Sequence, residues 1–261
     1  MRTNFRHNKT NTSWQQVGKW YQETVGLTGH YYHKHIIIPG VLKLLALENN
    51  SSLLDIACGQ GVLARYIPPQ TFYQGIDAAN SLIDFAREHE KRKNHLFTVA
   101  DVTEQLPITK KDFTHATIIL ALQNIDNPVA VFSHLKNHLA KGAKLVIVLN
   151  HPCFRIPRQS SWGIDEQNKL QYRRINRYLS PLKIPIKTNP GQGLKSPLVW
   201  NFHLPISSYS EFLYRQGFHI SKIEEWVSDK ASVGSAARME NRGRSEIPLF
   251  MAILAVNVAT I

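Results

Sequence analysis

The sequence has 261 residues, 43% of them hydrophobic, which is enough for one α/β domain with additional segments. It contains no run of about 20 apolar residues that could span a membrane, and its first residues lack the apolar segment of a secretory signal. Two cysteines, Cys58 and Cys153, are too few for a disulfide framework, and neither lies in a Cys/His cluster. We therefore expect a cytoplasmic protein without a membrane span or a structural metal, of unknown oligomeric state.

The net charge of +12 is unevenly distributed along the chain. Residues 1–35 carry five Lys and Arg against one acid, and residues 151–187 carry eight against two. Such basic surfaces can bind nucleic acid, an anionic membrane or an anionic small substrate. A solvated basic surface without any partner explains the same composition, so charge by itself does not choose among these alternatives.

The predicted elements form an alternating series in the middle of the chain. Residues 1–13 are expected to be disordered, and Trp14–Leu47 has a mixed helical pattern. Apolar runs then predict strands over 52–57, 71–77, 96–101, 115–122 and 143–150, separated by helices over 63–66, 81–93 and 128–140. Asn80 or Ser81 is a predicted cap, with Asp84 as a capping-box variant, and Asn127 precedes a proline at the next helix start. Strands that alternate with helices predict a parallel sheet.

The alternation ends at Asn150. The next segment, about 151–200, is rich in Pro, Arg and aromatic residues and is predicted to be an insertion that forms a lid. A helix over 207–216 follows, and then two strands, 218–227 and 249–258, joined by a polar loop at 228–246. We therefore predict one domain over 14–261 with an N-terminal helical cover and a core at 51–150. Its fold class is α/β, a seven-stranded, mostly parallel sheet between helices.

Three motifs stand at the ends of predicted strands. The run from Asp55 to Gly61, DIACGQG, follows the first strand, and its glycines permit a tight turn and close approach of a ligand to the backbone. Asp77 ends the second strand, where a carboxylate can accept hydrogen bonds from both hydroxyls of a ribose. Asp101 ends the third, where a carboxylate can accept from an adenine amine.

These motifs, LLDIACGQG, GID, ADV and ALQNIDNP, resemble in order, spacing and strand-end placement the motifs of class I S-adenosylmethionine-dependent methyltransferases over roughly 100 residues. The resemblance implies a Rossmann-like fold, S-adenosyl-L-methionine as the cofactor and S-adenosyl-L-homocysteine as the product. It implies that the glycine loop borders the methionine moiety, that Asp77 binds ribose and that Asp101 meets adenine. Ala57 departs from a glycine that is frequent at its position. The flanking segments resemble small-molecule members of the family more loosely.

The resemblance also predicts the site residues. Cofactor contacts are expected from the loop, the strand ends and two tyrosines of the cover: Asp55, Ala57, Cys58, Gly59, Gly61, Asp77, Ala78, Leu82, Asp101, Val102, Leu120, Ala121, Tyr21 and Tyr31. Methyl transfer mainly requires alignment and water exclusion, and a general base only if the acceptor must lose a proton. The catalytic candidates are His151, His33 and Tyr32, with His203 and Tyr209 as weaker ones, and no metal ligand is expected.

Two other interpretations compete with a small-molecule methyltransferase. The run from Gly59 to Ala64 also fits the dinucleotide pattern G-x-G-x-x-A, which would indicate an NAD(P)-binding oxidoreductase. Asp55 and Asp101 have no special use there and favour the methyltransferase. The basic residues Arg173, Arg174, Arg177 and Lys183 suggest an RNA methyltransferase or an RNA-binding module on the same fold.

Two further patterns in the sequence bear on the class of methyl acceptor. The exit of the fourth strand lacks the N/D-P-P-aromatic run that orients base amines, which disfavours nucleic-acid amino methylation. Pro152-Cys153 is similar to the nucleophilic dipeptide of enzymes that methylate cytosine carbon, but its usual flanking residues are missing. We expect a small-molecule methyl acceptor, anionic or aromatic, because both flanking segments are basic and aromatic.

Overall fold

A computed structural model describes residues 14–188 and 196–258. The predicted disorder at 1–13 lies outside these residues. The strands are β1 (Ser52–Ile56), β2 (Phe72–Asp77), β3 (His95–Val99), β4 (Phe113–Ile119), β5 (Leu139–Asn150), β6 (Ser160–Asp165), β7 (Leu170–Ile175), β8 (Leu182–Lys187), β9 (Leu198–His203), β10 (Phe218–Trp226) and β11 (Phe250–Asn257). The α-helices are α1 (Gly18–Val25), α2 (Ile38–Leu45), α3 (Asn80–His89), α4 (Pro128–Lys136), α5 (Ile206–Arg215) and α6 (Ala237–Glu246).

Seven strands form one sheet in the order β10-β11-β5-β4-β1-β2-β3. The five strands from β1 to β5 are parallel, and β11 lies antiparallel between β5 and β10. The predicted seven-stranded, mostly parallel sheet is therefore confirmed. The strand order reverses between β1 and β4, and sheets of this kind bind ligands at the carboxyl ends of the strands beside such a reversal.

The sheet is covered by apolar contacts on both faces. Along β1, Leu54 and Ile56 join the cluster that includes α4 and α5, whereas Leu53 joins the cluster that includes α2 and α3. This alternation follows from the two-residue period of a strand. Since both faces are buried, the central strands consist of nearly continuous apolar residues, which is the pattern that made them detectable in the sequence.

The helices differ from the sequence predictions in type, in N-cap and in where they end. The predicted helix at 63–66 is a short 3₁₀ turn over Leu63–Arg65. The N-cap of α3 is Ala79, so neither Asn80 nor Ser81 caps the helix with its side chain. Instead Asp77 Oδ1 accepts from the Ala79 N–H at 2.8 Å. The helix ends at His89 rather than residue 93, and α4 ends at Lys136 because β5 already begins at Leu139.

The segments after β5 contain more regular structure than the sequence predicted. The insertion forms two antiparallel hairpins, β6–β7 and β8–β9. The predicted polar loop at 228–246 contains α6, whose one buried residue is Gly243. A helix with so little buried surface has no apolar period, so the pattern could not reveal it. No helix in the described part of the chain is long and apolar enough to cross a membrane.

The N-cap of α4 provides a test of local stability. The Asn127 side chain accepts a hydrogen bond from the Ala130 N–H at 3.2 Å, as the sequence predicted. We expect Asn127→Ala to lower the free energy of unfolding by about 1 kcal/mol, because the amide loses its acceptor. Asn127→Asp, which retains an acceptor, should stay near the wild-type value in urea denaturation. Equal losses in both variants would contradict the capping role.

Candidate active site

A loop with left-handed backbone follows β1 at the point where the strand order reverses. Ala57, Gly59 and Gly61 have φ values of 54°, 56° and 70°. The Cys58 N–H donates to the Ile76 carbonyl at 2.9 Å, which ties the loop to β2. A Cβ on Gly61 would lie 2.8 Å from the Phe97 ring, so this glycine is required by space as well as by φ. The loop therefore presents bare backbone at the sheet edge.

The neighbouring strand exit is also strained. Leu120, directly after β4, has a φ of 52°, close to that of Ala57 after β1. Non-glycine residues in this region cost about 1–3 kcal/mol and occur preferentially at functional sites. The strained residues after β1 and β4 lie at the carboxyl ends of adjacent strands, where the sequence motifs also lie. This strain also explains why glycine is frequent where this chain has Ala57.

Asp77 connects the loop to the start of α3. Its Oδ2 accepts from the Gly59 N–H and its Oδ1 from the Ala79 N–H, both at 2.8 Å. Burial raises the pKa of this carboxyl, and the backbone N–H groups oppose that change. A carboxylate has about four lone-pair sites, so each oxygen retains capacity for one further donor. Asp77 can thus accept two hydroxyl groups of a bound ligand.

Asp101 stands at the end of the adjacent strand. The parallel register pairs Asp77 with Val99, two residues before Asp101. The exposed Asp101 accepts through Oδ1 from both the backbone and the hydroxyl of Thr103, at 2.9 and 2.7 Å. Its Oδ2 has no partner among the residues that the structure describes. Asp101 is therefore oriented by its own turn and has one oxygen left for a ligand.

Asp55 has a different role from the other two acids. Its carboxylate accepts from the Tyr73 hydroxyl on β2 and from the Thr117 hydroxyl on β4, both at 2.7 Å, and the residue is 3% exposed. Burial raises its pKa to about 6, although both hydrogen bonds oppose the shift. Asp55 is a predicted cofactor contact. In the structure its carboxylate is buried beneath the loop, where it links three strands. The sequence contained the signal, since an acid inside an apolar strand needs partners.

Tyr21 of the helical cover lies against the loop. A Cβ on Gly59 would be 3.7 Å from the Tyr21 hydroxyl. Burial raises the pKa of Tyr21, and the nearby Asp77 adds to the effect. The Gln60 amide donates to the Gly26 carbonyl at 2.6 Å, which joins the loop to the end of α1. The cover is therefore attached to the loop by side chains from both partners.

The second part of the cover contacts the segment after β10 instead. The Tyr31 hydroxyl donates to Asp229 at 3.0 Å, and the hydroxyls of Tyr32 and Ser228 are 3.2 Å apart. The Lys230 ammonium lies 4.4 Å from the centre of the Tyr31 ring. Tyr31 is thus placed away from the loop that Tyr21 touches, and its predicted cofactor contact stays a prediction.

Two predicted histidines differ in how their rings are held. In His151 the Nδ1 accepts from the Cys153 N–H at 3.2 Å, and Nε2 faces Glu225 Oε1 at 2.6 Å. Burial lowers the pKa of His151, against the effect of Glu225. His33 has a buried Nδ1 with no hydrogen-bond partner in the described residues, and burial lowers its pKa to about 4. It begins a π-helical turn, a feature that is frequent at functional sites.

The remaining candidates lie further from the loop or deeper in the core. Tyr209 is 1% exposed and belongs to the apolar cluster of α4 and α5. The His203 Nε2 is 2.6 Å from the Tyr178 carbonyl, which holds it within the insertion. Cys153 is half-buried, and burial raises its pKa, which disfavours a nucleophilic thiolate. The other predicted cofactor contacts come after strand ends in the sequence: Ala78 and Leu82 after β2, Val102 after β3 and Ala121 after β4. The described residues include no group of three metal-ligating side chains.

A surface depression of about 480 Å³ lies elsewhere, between the end of α3 and the outer strand β3. Its wall includes Arg87, Glu90 and His95, and the Arg92 guanidinium is already bound to Glu90 at 2.7 Å. None of the three strand-end acids borders it. The depression is therefore separate from the loop and is not the candidate site.

Comparison with known proteins agrees with this geometry. Residues 54–147 match the family described as "Methyltransferase domain". The matched segment, which runs from β1 to β5, is similar to methyltransferase domains. It contains the glycine loop, Asp77 and Asp101, and the match supports S-adenosylmethionine as its cofactor.

The similar proteins include one curated relative and many solved structures. Protein 235L of Invertebrate iridescent virus 6, a methyltransferase by name, is 31% identical over 110 residues, which are 41% of this chain and 40% of the viral protein. An S-adenosylmethionine-dependent methyltransferase from Mesorhizobium loti superposes with a TM-score of 0.64, 23% identity and coverage of 82% and 95% of the two chains. The glycopeptide N-methyltransferase MtfA in complex with sinefungin superposes with a TM-score of 0.57 and 13% identity. The superposition covers 84% of this chain and 92% of MtfA. These structural similarities show the fold.

The buried Asp55 predicts a pH dependence of stability. Its pKa of about 6 exceeds the ordinary 3.8, so the folded state binds the proton more tightly than the unfolded state. Its stabilising contribution is complete below pH 4 and is lost as the pH rises through 6, by about 3 kcal/mol in total. We expect the difference in unfolding free energy between wild type and Asp55→Asn to change in that direction between pH 4 and 7. Urea denaturation across this range measures it.

Tyr73→Phe is the matched control for Asp55. It removes one donor to the carboxylate, so the loss of stability should extend to higher pH than in the wild type. A wild type and Asp55→Asn that differ by the same amount at every pH would show that Asp55 does not titrate in this window.

Proposed function

We propose that the chain binds S-adenosylmethionine along the loop from Ala57 to Gly61 and transfers its methyl group to a small-molecule acceptor. The observation that carries the proposal is the position of Asp77. Its carboxylate is fixed by two backbone N–H groups at the end of β2, beside a loop that has left-handed backbone and bare glycines. The adenosine of the cofactor would be held by Asp77 at the ribose and by Asp101 at the adenine.

The residues of the chain would mainly align and enclose the reactants. When bound, the cofactor supplies a sulfonium methyl group, whose bond to sulfur breaks as the bond to the acceptor forms. Tyr21 borders the loop from the side of the cover and would exclude water from the methionine end. Alignment and water exclusion provide most of the rate enhancement for such a displacement.

The acceptor would occupy the space beyond the loop, at the carboxyl end of β5. His151 begins the turn after β5, and its ring is 4.7 Å from the Phe154 ring. Tyr32 lies 5.7 Å from the Phe250 ring, and Phe250 pairs with Asn150 at the end of β5. Residues of the cover, the turn and β11 therefore meet at one edge, and their aromatic rings would contact an organic acceptor.

The histidines would differ in their use. His151 has both ring nitrogens engaged, so we assign it to holding the turn after β5 rather than to proton transfer. His33 is neutral at pH 7, and its Nδ1 has no partner in ranges 14–188 and 196–258, so it could take a proton from the methyl acceptor. Its low pKa makes it a weak base, which suits an acceptor that becomes acidic as it is methylated.

Asp77 provides the test of cofactor binding. We expect Asp77→Ala to weaken S-adenosylhomocysteine binding about 100-fold in calorimetry, because two hydrogen bonds to a charged acceptor are lost. Asp77→Asn should bind with intermediate affinity, since one acceptor oxygen remains. Asp84→Ala is the control: this exposed acid on α3 pairs only with Arg87 in the described residues and should bind as wild type.

The variants must be shown to fold, because Asp77 also holds the loop and α3. Thermal unfolding without ligand provides that check. A shift of the wild-type melting temperature by NAD(P) and not by S-adenosylmethionine would favour the oxidoreductase. RNA binding that falls steeply with salt would favour the RNA methyltransferase. Unchanged affinity in a folded Asp77→Ala variant would refute the assignment.

A further inference from the structure

Arg155 is a half-buried cation whose guanidinium has no partner in the part of the chain that the structure describes. It lies in the turn after β5, where its backbone N–H donates to the His151 carbonyl at 2.8 Å. Its guanidinium makes no hydrogen bond or ion pair with any residue of the described ranges 14–188 and 196–258. Long cationic side chains that are partly buried usually pair with an acid or a carbonyl. Arg155 therefore has donors available for a group that is not part of the chain.

The position of Arg155 places it on the acceptor side of the proposed site. The turn begins at the carboxyl end of β5, which is separated from β1 and its loop only by β4. Burial lowers the pKa of Arg155, and Tyr32 lies close enough to oppose that change. Arg155 thus belongs to the turn that follows Asn150, and Asn150 pairs with Phe250, whose ring is 5.7 Å from that of Tyr32.

A second guanidinium lies beside it. Arg173 on β7 donates to the Phe154 carbonyl at 2.7 Å and to the Ser160 hydroxyl at 2.9 Å, and its guanidinium carbon is 5.3 Å from the Trp162 ring centre. Burial lowers the pKa of Arg173, and the charge of Arg155 lowers it further. Two cations near each other repel, and an anion between them would remove that cost.

The nearby acids narrow the charge of such an anion. Glu225 is bound to His151 at the start of this turn and is 56% exposed, so the region has one carboxylate against two guanidiniums. Asp229 is engaged by Tyr31 and approached by His35, and Lys230 follows it in sequence. This region therefore has one positive charge in excess. The planar guanidinium that carries it matches a carboxylate, which accepts two parallel N–H hydrogen bonds. A doubly charged phosphate would leave an excess of negative charge.

We infer that the methyl acceptor is a carboxylic acid with an aromatic or flat frame, and that Arg155 binds its carboxylate. The inference rests on the proposed function, because it concerns the acceptor half of the same site. Arg173 would position the turn by holding Phe154 and would add a second positive charge. The frame of the acceptor would lie against the rings of Tyr32 and Phe154.

The test compares a simple probe with its uncharged analogue. Benzoate, benzamide and inorganic phosphate are titrated calorimetrically into the full chain saturated with S-adenosylhomocysteine. We expect benzoate to bind at least tenfold more tightly than benzamide or phosphate, and to bind more weakly as salt is raised. Arg155→Gln should reduce benzoate affinity at least tenfold without changing S-adenosylhomocysteine affinity. Arg174→Gln is the control, because this exposed neighbour of Arg173 contacts Asn176.

The outcomes separate the two proposals. Normal S-adenosylhomocysteine binding with no preference for benzoate over benzamide, or with no benzoate binding at all, overturns the carboxylate inference and leaves the proposed function intact. Tighter binding of phosphate also overturns it, in favour of a phosphorylated acceptor. Equal benzoate affinity in Arg155→Gln and wild type removes Arg155 from the site. Failure of S-adenosylhomocysteine to bind the wild type refutes the proposed function itself.

Discussion

The carboxylate of Asp77 is the interaction on which the site depends. It accepts the Gly59 N–H from the loop after β1 and the Ala79 N–H that begins α3. One side chain thereby fixes the distance between a left-handed loop and a helix start. Without this bridge, three residues in the φ > 0 region would have to be held by backbone contacts alone, at a cost of about 1 kcal/mol or more for Ala57.

A second buried carboxylate supports the loop from below. Asp55 joins β1 to β2 and β4 through Tyr73 and Thr117 at the place where the strand order reverses. The two acids therefore have different roles. Asp55 links the strands, whereas Asp77 holds the loop and retains lone pairs for a ligand. Burial raises the pKa of both carboxyls because it disfavours their charged form. The hydrogen bonds that each carboxylate accepts oppose this effect.

The segments around the methyltransferase domain determine what can reach the loop. The cover is attached at two places, through Gln60 near the loop and through Asp229 near β10. The turn after β5 is held by His151 and by Arg173, which belong to different elements. The proposed acceptor side would thus be built from four parts of the chain that are far apart in sequence. Its specificity could then change without any change in the strand-end acids.

The sequence alone determined the sheet, its parallel core and the positions of the strand-end acids that the proposed cofactor site would use. Two-residue periodicity, the glycines of the loop and the acids at 77 and 101 are local signals, because strands and tight turns require particular residues at particular spacings. Only the tertiary structure decided that Asp55 is enclosed by Tyr73 and Thr117, that α6 exists, and that the Arg155 guanidinium has no partner among the described residues. These features depend on contacts between distant segments, and no local pattern records which side chains meet in space.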